Sequence, residues 1–179
     1  MELDTNPSSH DGSRLNDAMS PMDQALSFEA LKRFRMVFRA VQQHSLRVEQ
    51  RCGLSSAQLW AISELAAKPG QRVSELAHAM SIHASTASNL LDKLERKGLI
   101  EKQRQRDDQR VVLLTATPAG LNLLEMAPAP ATGILQSALF QLSPEILQSL
   151  IVNLDALVAA MKIDDDGAAL QPLSTGRQR

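Results

Sequence analysis

Between Ser74 and Ala116 the hydrophobic period of the chain changes once, and the change falls at Gly98. Before it, SELAHAM sets Leu76, Ala77 and Met80 on one face of a short helix. STASNLLDKLERK sets Leu90, Leu91 and Leu94 on one face of a second. Only Ser81-Ile82-His83-Ala84 lie between, so two short helices must cross over a tight turn, with small Ala77 where their backbones approach. Ser74 is the expected N-cap of the first helix and Gly98 the stop of the second. Beyond Gly98, LIEKQR (99–104) and RVVLLTA (110–116) read as strands around the polar turn QRDDQ. A hairpin that directly follows a helix-turn-helix is a wing.

The flanks are helical. Phe28, Leu31, Phe34, Phe38, Val41 and Val48 mark one face of a helix over 25–51, which Gly53 ends. A second helix runs from an N-cap at Ser55 or Ser56 to about residue 67, burying Leu59, Ile62 and Leu65 or Ala66 before Pro69-Gly70. Thr117 or Pro118 opens a helix whose apolar side is Leu121, Leu124, Ile134, Leu135 and Leu139, and Pro128, Pro130 and Gly133 should kink or break it. Ser143-Pro144-Glu145 starts the last helix, striped by Leu150, Leu154, Leu157, Val158 and Met161. The expected fold class is therefore mainly α with a small β-wing (α+β). Residues 1–24 and 163–179, rich in polar residues and without periodicity, read as a disordered arm and tail around one domain over 25–162.

Composition narrows the function classes. Apolar residues make 44% of the chain but aromatic ones only 3%, with no Tyr, so the core must be aliphatic. One Cys excludes an internal disulfide and a Cys-rich zinc site. The first residues, MELDTNPSSHDG, do not resemble a signal peptide, and no apolar run approaches the roughly 20 residues that span a bilayer, so a soluble cytoplasmic protein without membrane contact is expected. His44, His78 and His83 have no ligand spacing, and the chain shows neither a nucleophile elbow nor a phosphate loop. No metal, cofactor or enzymatic activity is expected.

The net charge of −1 conceals a dipolar chain. Residues 1–30 sum to −5, 31–51 to +5, 71–110 to +2 and 111–179 to −3. A local basic face can serve nucleic acid whatever the total charge. Ser85, Thr86, Ser88 and Asn89 put short donors and acceptors at the start of the second short helix, where a reading helix meets base edges, and Lys93 lies one turn on, in reach of phosphate. Lys102, Arg104, Arg106 and Arg110 flank or form the wing tip, and arginine on a thin hairpin suits a narrow minor groove. Asp107 or Asp108 would repel phosphate unless paired to an arginine that it then aims. Taken singly, the serines also fit a solvated capping face and the tip an ordinary charged turn.

Over about 28–161 the chain resembles the MarR family of winged-helix transcriptional regulators. The matching stretches are VSELAHAM, STASNLLDKLERKGLIEK and DQRVVLLTATPAG. The resemblance implies that Arg110 enters the minor groove held by Asp108, that Arg104 is the basic residue four places before that Asp, and that Thr117 and Gly120 open the next helix. It places Ser85, Thr86, Ser88 and Asn89 in the major groove; Asn89 stands where the family often carries Arg or Lys. It implies a reader at 55–117 and dimerisation helices at 25–51 and 118–162, with Leu139, Phe140, Leu150, Leu154 and Leu157 as candidates for the homodimer contact on a palindromic double-stranded DNA operator. It also implies a repressor released by a small aromatic effector, in a pocket near Phe34, Phe38, Arg39, His44 and Trp60, where Arg39 or Arg47 would pair with a carboxylate.

Two alternatives stay open. One is a winged helix that binds protein through the same polar face. The other is a redox-responsive regulator using Cys52, whose neighbour Arg51 would favour the thiolate.

Overall fold

The computed structural model describes residues 20–105 and 111–173. The chain divides into two units, residues 1–39 and 40–179. Its helices are α1 (Pro21–Cys52), α2 (Ser56–Ala67), α3 (Val73–Ala79), α4 (Ala84–Arg96), α5 (Pro118–Met126), α6 (Ile134–Leu139) and α7 (Pro144–Ala160). Three strands, β1 (Gln71–Arg72), β2 (Ile100–Arg104) and β3 (Val112–Ala116), form an antiparallel sheet in the order β1-β3-β2. The mainly α fold with a small wing is the expected class.

Within the first unit, α1 starts at Pro21, before the expected 25, so residues 21–24 are helical and not part of a disordered arm. Ser20 explains the early start. Its hydroxyl accepts the Asp23 N–H at 3.2 Å and donates to the Asp23 carboxylate at 2.8 Å, with Pro21 in the first turn. Glu29 pairs with Lys32 at 2.6 Å and with Arg33.

The second unit holds the core. Helix α2 is buried nearly all round, through Ala57, Gln58, Leu59, Trp60, Ala61, Ile62 and Leu65, as befits a helix hydrophobic on every side. Its start is a capping box: Ser55 Oγ accepts the Gln58 N–H, and Gln58 Oε1 accepts the Ser55 N–H at 3.0 Å. Its end is capped by buried Gln71, whose Nε2 donates to the Glu64 and Lys68 carbonyls at 3.1 and 3.2 Å. Around α2 pack Leu76 and Ala77 of α3, Ala87, Leu91 and Leu94 of α4, Ile100 of β2 and Leu114 of β3.

Several local expectations are corrected. Arg72, not Ser74, precedes α3, and the Glu75 carboxylate accepts the Arg72 N–H at 2.7 Å. This anchors the helix start two residues earlier because β1 delivers the chain there. Strand β1 itself was not expected: two residues carry no period, yet Gln71 pairs with Leu114 and Arg72 with Leu113. The helix after Thr117 breaks where expected, at 127–133 with Pro128, Pro130 and Gly133, into α5 and α6. The expected disordered tail contains a 3-10 turn, Asp166–Leu170, and the His83 N–H donates to the Leu170 carbonyl at 3.2 Å.

Candidate nucleic-acid interface and adjoining cavity

Helix α4 separates its side chains cleanly. Ala87, Leu90, Leu91 and Leu94 are buried, while Ser85, Asn89 and Lys93 are exposed and Thr86 and Ser88 half-buried. Ser88 is less free than its sequence suggests. Its hydroxyl donates to the Ala84 carbonyl at 2.9 Å, leaving only acceptor capacity for a partner. No side chain caps the helix at His83, so its first amides stay available.

The hairpin is fixed to α4 by an ion-pair bracket that sequence reasoning missed. Lys102 Nζ of β2 reaches the Asp92 carboxylate and lies 3.0 Å from Glu95 Oε2. Burial is the largest single influence on the Lys102 ammonium and opposes its charge, but Asp92 and Glu95 together outweigh it and raise its pKa. The hydrogen bond from Lys102, then its charge, hold the Asp92 carboxyl below the usual value. Lys102 is thus a strut and not a free phosphate contact. The spacing of Asp92 and Glu95, one helical turn apart, was the available signal. Lys97 ties the far end of α4 to the α1–α2 turn by donating to the Gly53 carbonyl at 2.7 Å.

Strand β2 pairs with β3 from Ile100↔Ala116 to Arg104↔Val112, and the Gln105 N–H donates to the Val111 carbonyl at 2.9 Å. Arg104 is exposed at the distal end of β2. The wing-tip residues Arg106, Asp108 and Arg110 lie outside the described residues. The base of the hairpin is locked by Thr117. Its hydroxyl donates to the Gly98 carbonyl at 2.7 Å and accepts the Gly120 N–H at 3.1 Å, capping α5. Gly120 packs so tightly that a Cβ there would lie 2.2 Å from the Leu99 carbonyl oxygen.

Residues 54–112 match the sequence profile of the MarR family, and this segment contains α2, β1, α3, α4 and β2. The transcriptional repressor MdtR of Bacillus subtilis is 30% identical over 102 residues. Over this segment the chain is similar to the MarR family. The matched stretch covers 57% of this chain and 65% of MdtR, just under two thirds of that protein's length. The regulator BilQ of Clostridium symbiosum is 33% identical over 78 residues, 44% of this chain and 54% of BilQ. Among solved MarR-like structures, the S. aureus MepR–DNA complex superposes with a TM-score of 0.52 at 27% identity, covering 72% of this chain and 94% of MepR. Sco3205 from Streptomyces coelicolor, a MarR family regulator solved with DNA, shares the fold with a TM-score of 0.54 at 19% identity, over 83% and 96% of the two chains. MdtR is an HTH-type transcriptional repressor and BilQ an HTH-type transcriptional regulator.

Beside the reader, the second unit encloses a cavity of about 450 Å³. Its walls come from α1 (His44), α2 (Trp60), the α3–α4 turn (Ile82), residues 132–140 and the C-terminal stretch 168–173. Of the expected pocket residues, His44 and Trp60 line it. Phe34, Phe38 and Arg39 are not in its walls and belong to the first unit, where the two phenylalanine rings stack with centroids 6.4 Å apart. The α6 and C-terminal walls were not among the expected pocket residues, since Ile134, Leu135 and Leu139 read as a helix face and 168–173 as tail. Of the candidate dimer residues, Phe140 is 71% exposed, Leu154 and Leu157 are exposed, and Leu139 and Leu150 are half-buried. Leu139 and Phe140 also line the cavity. Burial, more than Arg51 offsets, pushes the Cys52 thiol up, which disfavours the reactive thiolate that a redox sensor needs.

Proposed function

We propose that the protein is a homodimeric, sequence-specific DNA-binding regulator that represses transcription until a small aromatic ligand releases it. The observation that carries this reading is the two-faced helix α4, with Ser85, Asn89 and Lys93 exposed opposite a fully packed leucine face, braced to a wing. In this reading the start of α4 enters the major groove. Ser85, Thr86 and Asn89 meet base edges, Ser88 acts as an acceptor, and Lys93 meets phosphate. Arg104 leads the wing along the backbone toward the minor groove, where Arg110, aimed by Asp108, inserts. The MepR and Sco3205 structures hold DNA, which supports a nucleic-acid partner for this surface.

Dimerisation follows from unsatisfied apolar surface. Helix α7 has no buried residue, and Ile146, Ile151, Leu154, Leu157, Val158 and Met161 are all exposed in the single chain. A second copy that covers them would set two readers on the two halves of a palindrome. A ligand favouring a reader spacing unlike one DNA turn would then lower DNA affinity. The test is selection of genomic fragments by the purified full-length chain. Enrichment of a shared palindrome supports the reading. Recovery of fragments at random, with proteins retained instead, supports the protein-binding alternative.

A further inference from the structure

Helix α4 is pinned along its length, and its reading end is pinned from outside the reader. At its far end Lys97 donates to the Gly53 carbonyl, and midway Asp92 and Glu95 hold Lys102 of the wing. Before its start, the α3–α4 turn pairs two of its own amides. The Ser81 N–H donates to the His78 carbonyl and the Ile82 N–H to the Ala77 carbonyl, both at 3.0 Å. The His83 N–H turns elsewhere. It donates at 3.2 Å to the carbonyl of Leu170, which lies beyond the end of α7. His83 is the residue that leads into the first turn of α4.

The segment that supplies this carbonyl is itself fixed. Asp165 Oδ1 accepts the Ala168 N–H at 3.2 Å and so caps the 3-10 turn Asp166–Leu170, and the Gln171 N–H closes that turn on the Ala168 carbonyl at 3.1 Å. Ala168, Ala169, Pro172 and Leu173 share a cavity wall with Ser81 and Ile82 of the α3–α4 turn. Ser81 has a φ of 51°, a left-handed value that a residue with a Cβ holds only against strain, so the turn gains from an outside anchor.

We propose that residues 165–173 are a strap that positions the reading end of α4 from the C-terminal part of the same chain, with the Leu170 carbonyl as its point of attachment. This rests on the DNA reading given above and adds to it a positioning element outside the reader. Base edges are read only by a helix start placed to within about 0.5 Å, whereas a lysine on its flexible stem follows a phosphate through larger shifts. A freed helix start therefore loses discrimination between sequences before it loses general affinity for DNA. The strap contains no Lys or Arg, so its release leaves the salt dependence of binding in place.

Substitutions at Asp165 and His83 test this in the full-length chain. Asp165→Asn keeps a side chain that caps the turn, Asp165→Ala removes it, and both remove the same charge. His83→Pro deletes the donating N–H at a residue whose φ of −63° already suits proline. One measurement is hydrogen exchange of the Ala87, Ser88 and Asn89 amides by NMR without DNA. The other is the ratio of affinities for a selected and a random duplex. Asp165→Ala and His83→Pro should each speed the exchange and lower the ratio about fivefold, within the worth of one hydrogen bond, while Asp165→Asn behaves as the parent. Equal exchange in Asp165→Ala and Asp165→Asn overturns the strap, as does a folded His83→Pro protein with parental exchange. Exchange that responds while the ratio does not overturns the positioning role. A parent that binds both duplexes alike contradicts the DNA reading instead, and the exchange result then decides the strap by itself.

Discussion

Gly120 stands against the carbonyl of Leu99, with only 2.2 Å between its would-be Cβ and that oxygen. The contact joins the first turn of α5 to the residue that enters β2, at the base of the wing. Backbone, not a flexible side chain, forms the obstacle, so the neighbours cannot swing aside. Gly120→Ala should destabilise the protein by about 1–3 kcal/mol, the usual cost of overpacking. Urea unfolding followed through Trp60, the chain's one tryptophan, measures it. Unchanged stability would show that the junction yields.

The Lys102 bracket predicts a pH signature. Asp92 has a lowered pKa when folded, so its contribution is present above the unfolded value of about 3.9 and is lost as pH falls through the lower folded value. Lys102 has a raised pKa, so its contribution is present below about 10.4 and is lost as pH rises through the folded value. Lys102→Met should return the Asp92 carboxyl toward the ordinary range, read by carbon NMR titration. Because the carboxylates are exposed and screened by solvent, the loss of stability at neutral pH should be small. An Asp92 titration unmoved by the substitution would refute the bracket.

What the sequence made legible was what repeats or punctuates. The leucine period of α4, the switch at Gly98 and the caps at Ser55, Thr117 and Ser143 all have local causes, and the structure shows them in place. What escaped depends on partners distant in the chain. Strand β1 exists because Leu113 and Leu114 offer it a ladder. The 3-10 turn at Asp166–Leu170 hydrogen-bonds to His83, more than 80 positions away, as the numbering shows. The cavity was half-read for the same reason. His44 and Trp60 announced themselves as large side chains on helices, while the walls at 132–140 and 168–173 required the chain to break and return. Ser20-Pro21 was a readable start signal for α1 that the apolar period, beginning later, concealed.

Helix α7 predicts an oligomeric state that one residue can alter. Leu154 and Leu157 lie at a three-residue spacing and are 38% and 37% exposed in the single chain. Leu154→Asp should leave the fold intact, since no core contact is removed, and shift the protein from dimer to monomer in sedimentation velocity. An uncompensated carboxylate in a dimer contact is the cause. A Leu154→Asp protein that sediments like the parent dimer would place the interface elsewhere.

The central claim, that α4 reads DNA, is tested most directly by anisotropy titrations of a selected duplex and a random one between 50 and 200 mM salt. The account predicts tighter binding to the selected duplex and a steep fall in affinity with salt. It further predicts that Lys93→Ala lowers the salt slope by about one, while Asn89→Ala costs about 1–3 kcal/mol on the selected duplex and little on the random one. Equal affinity for both duplexes, or Asn89→Ala losses that are the same on each, would contradict it.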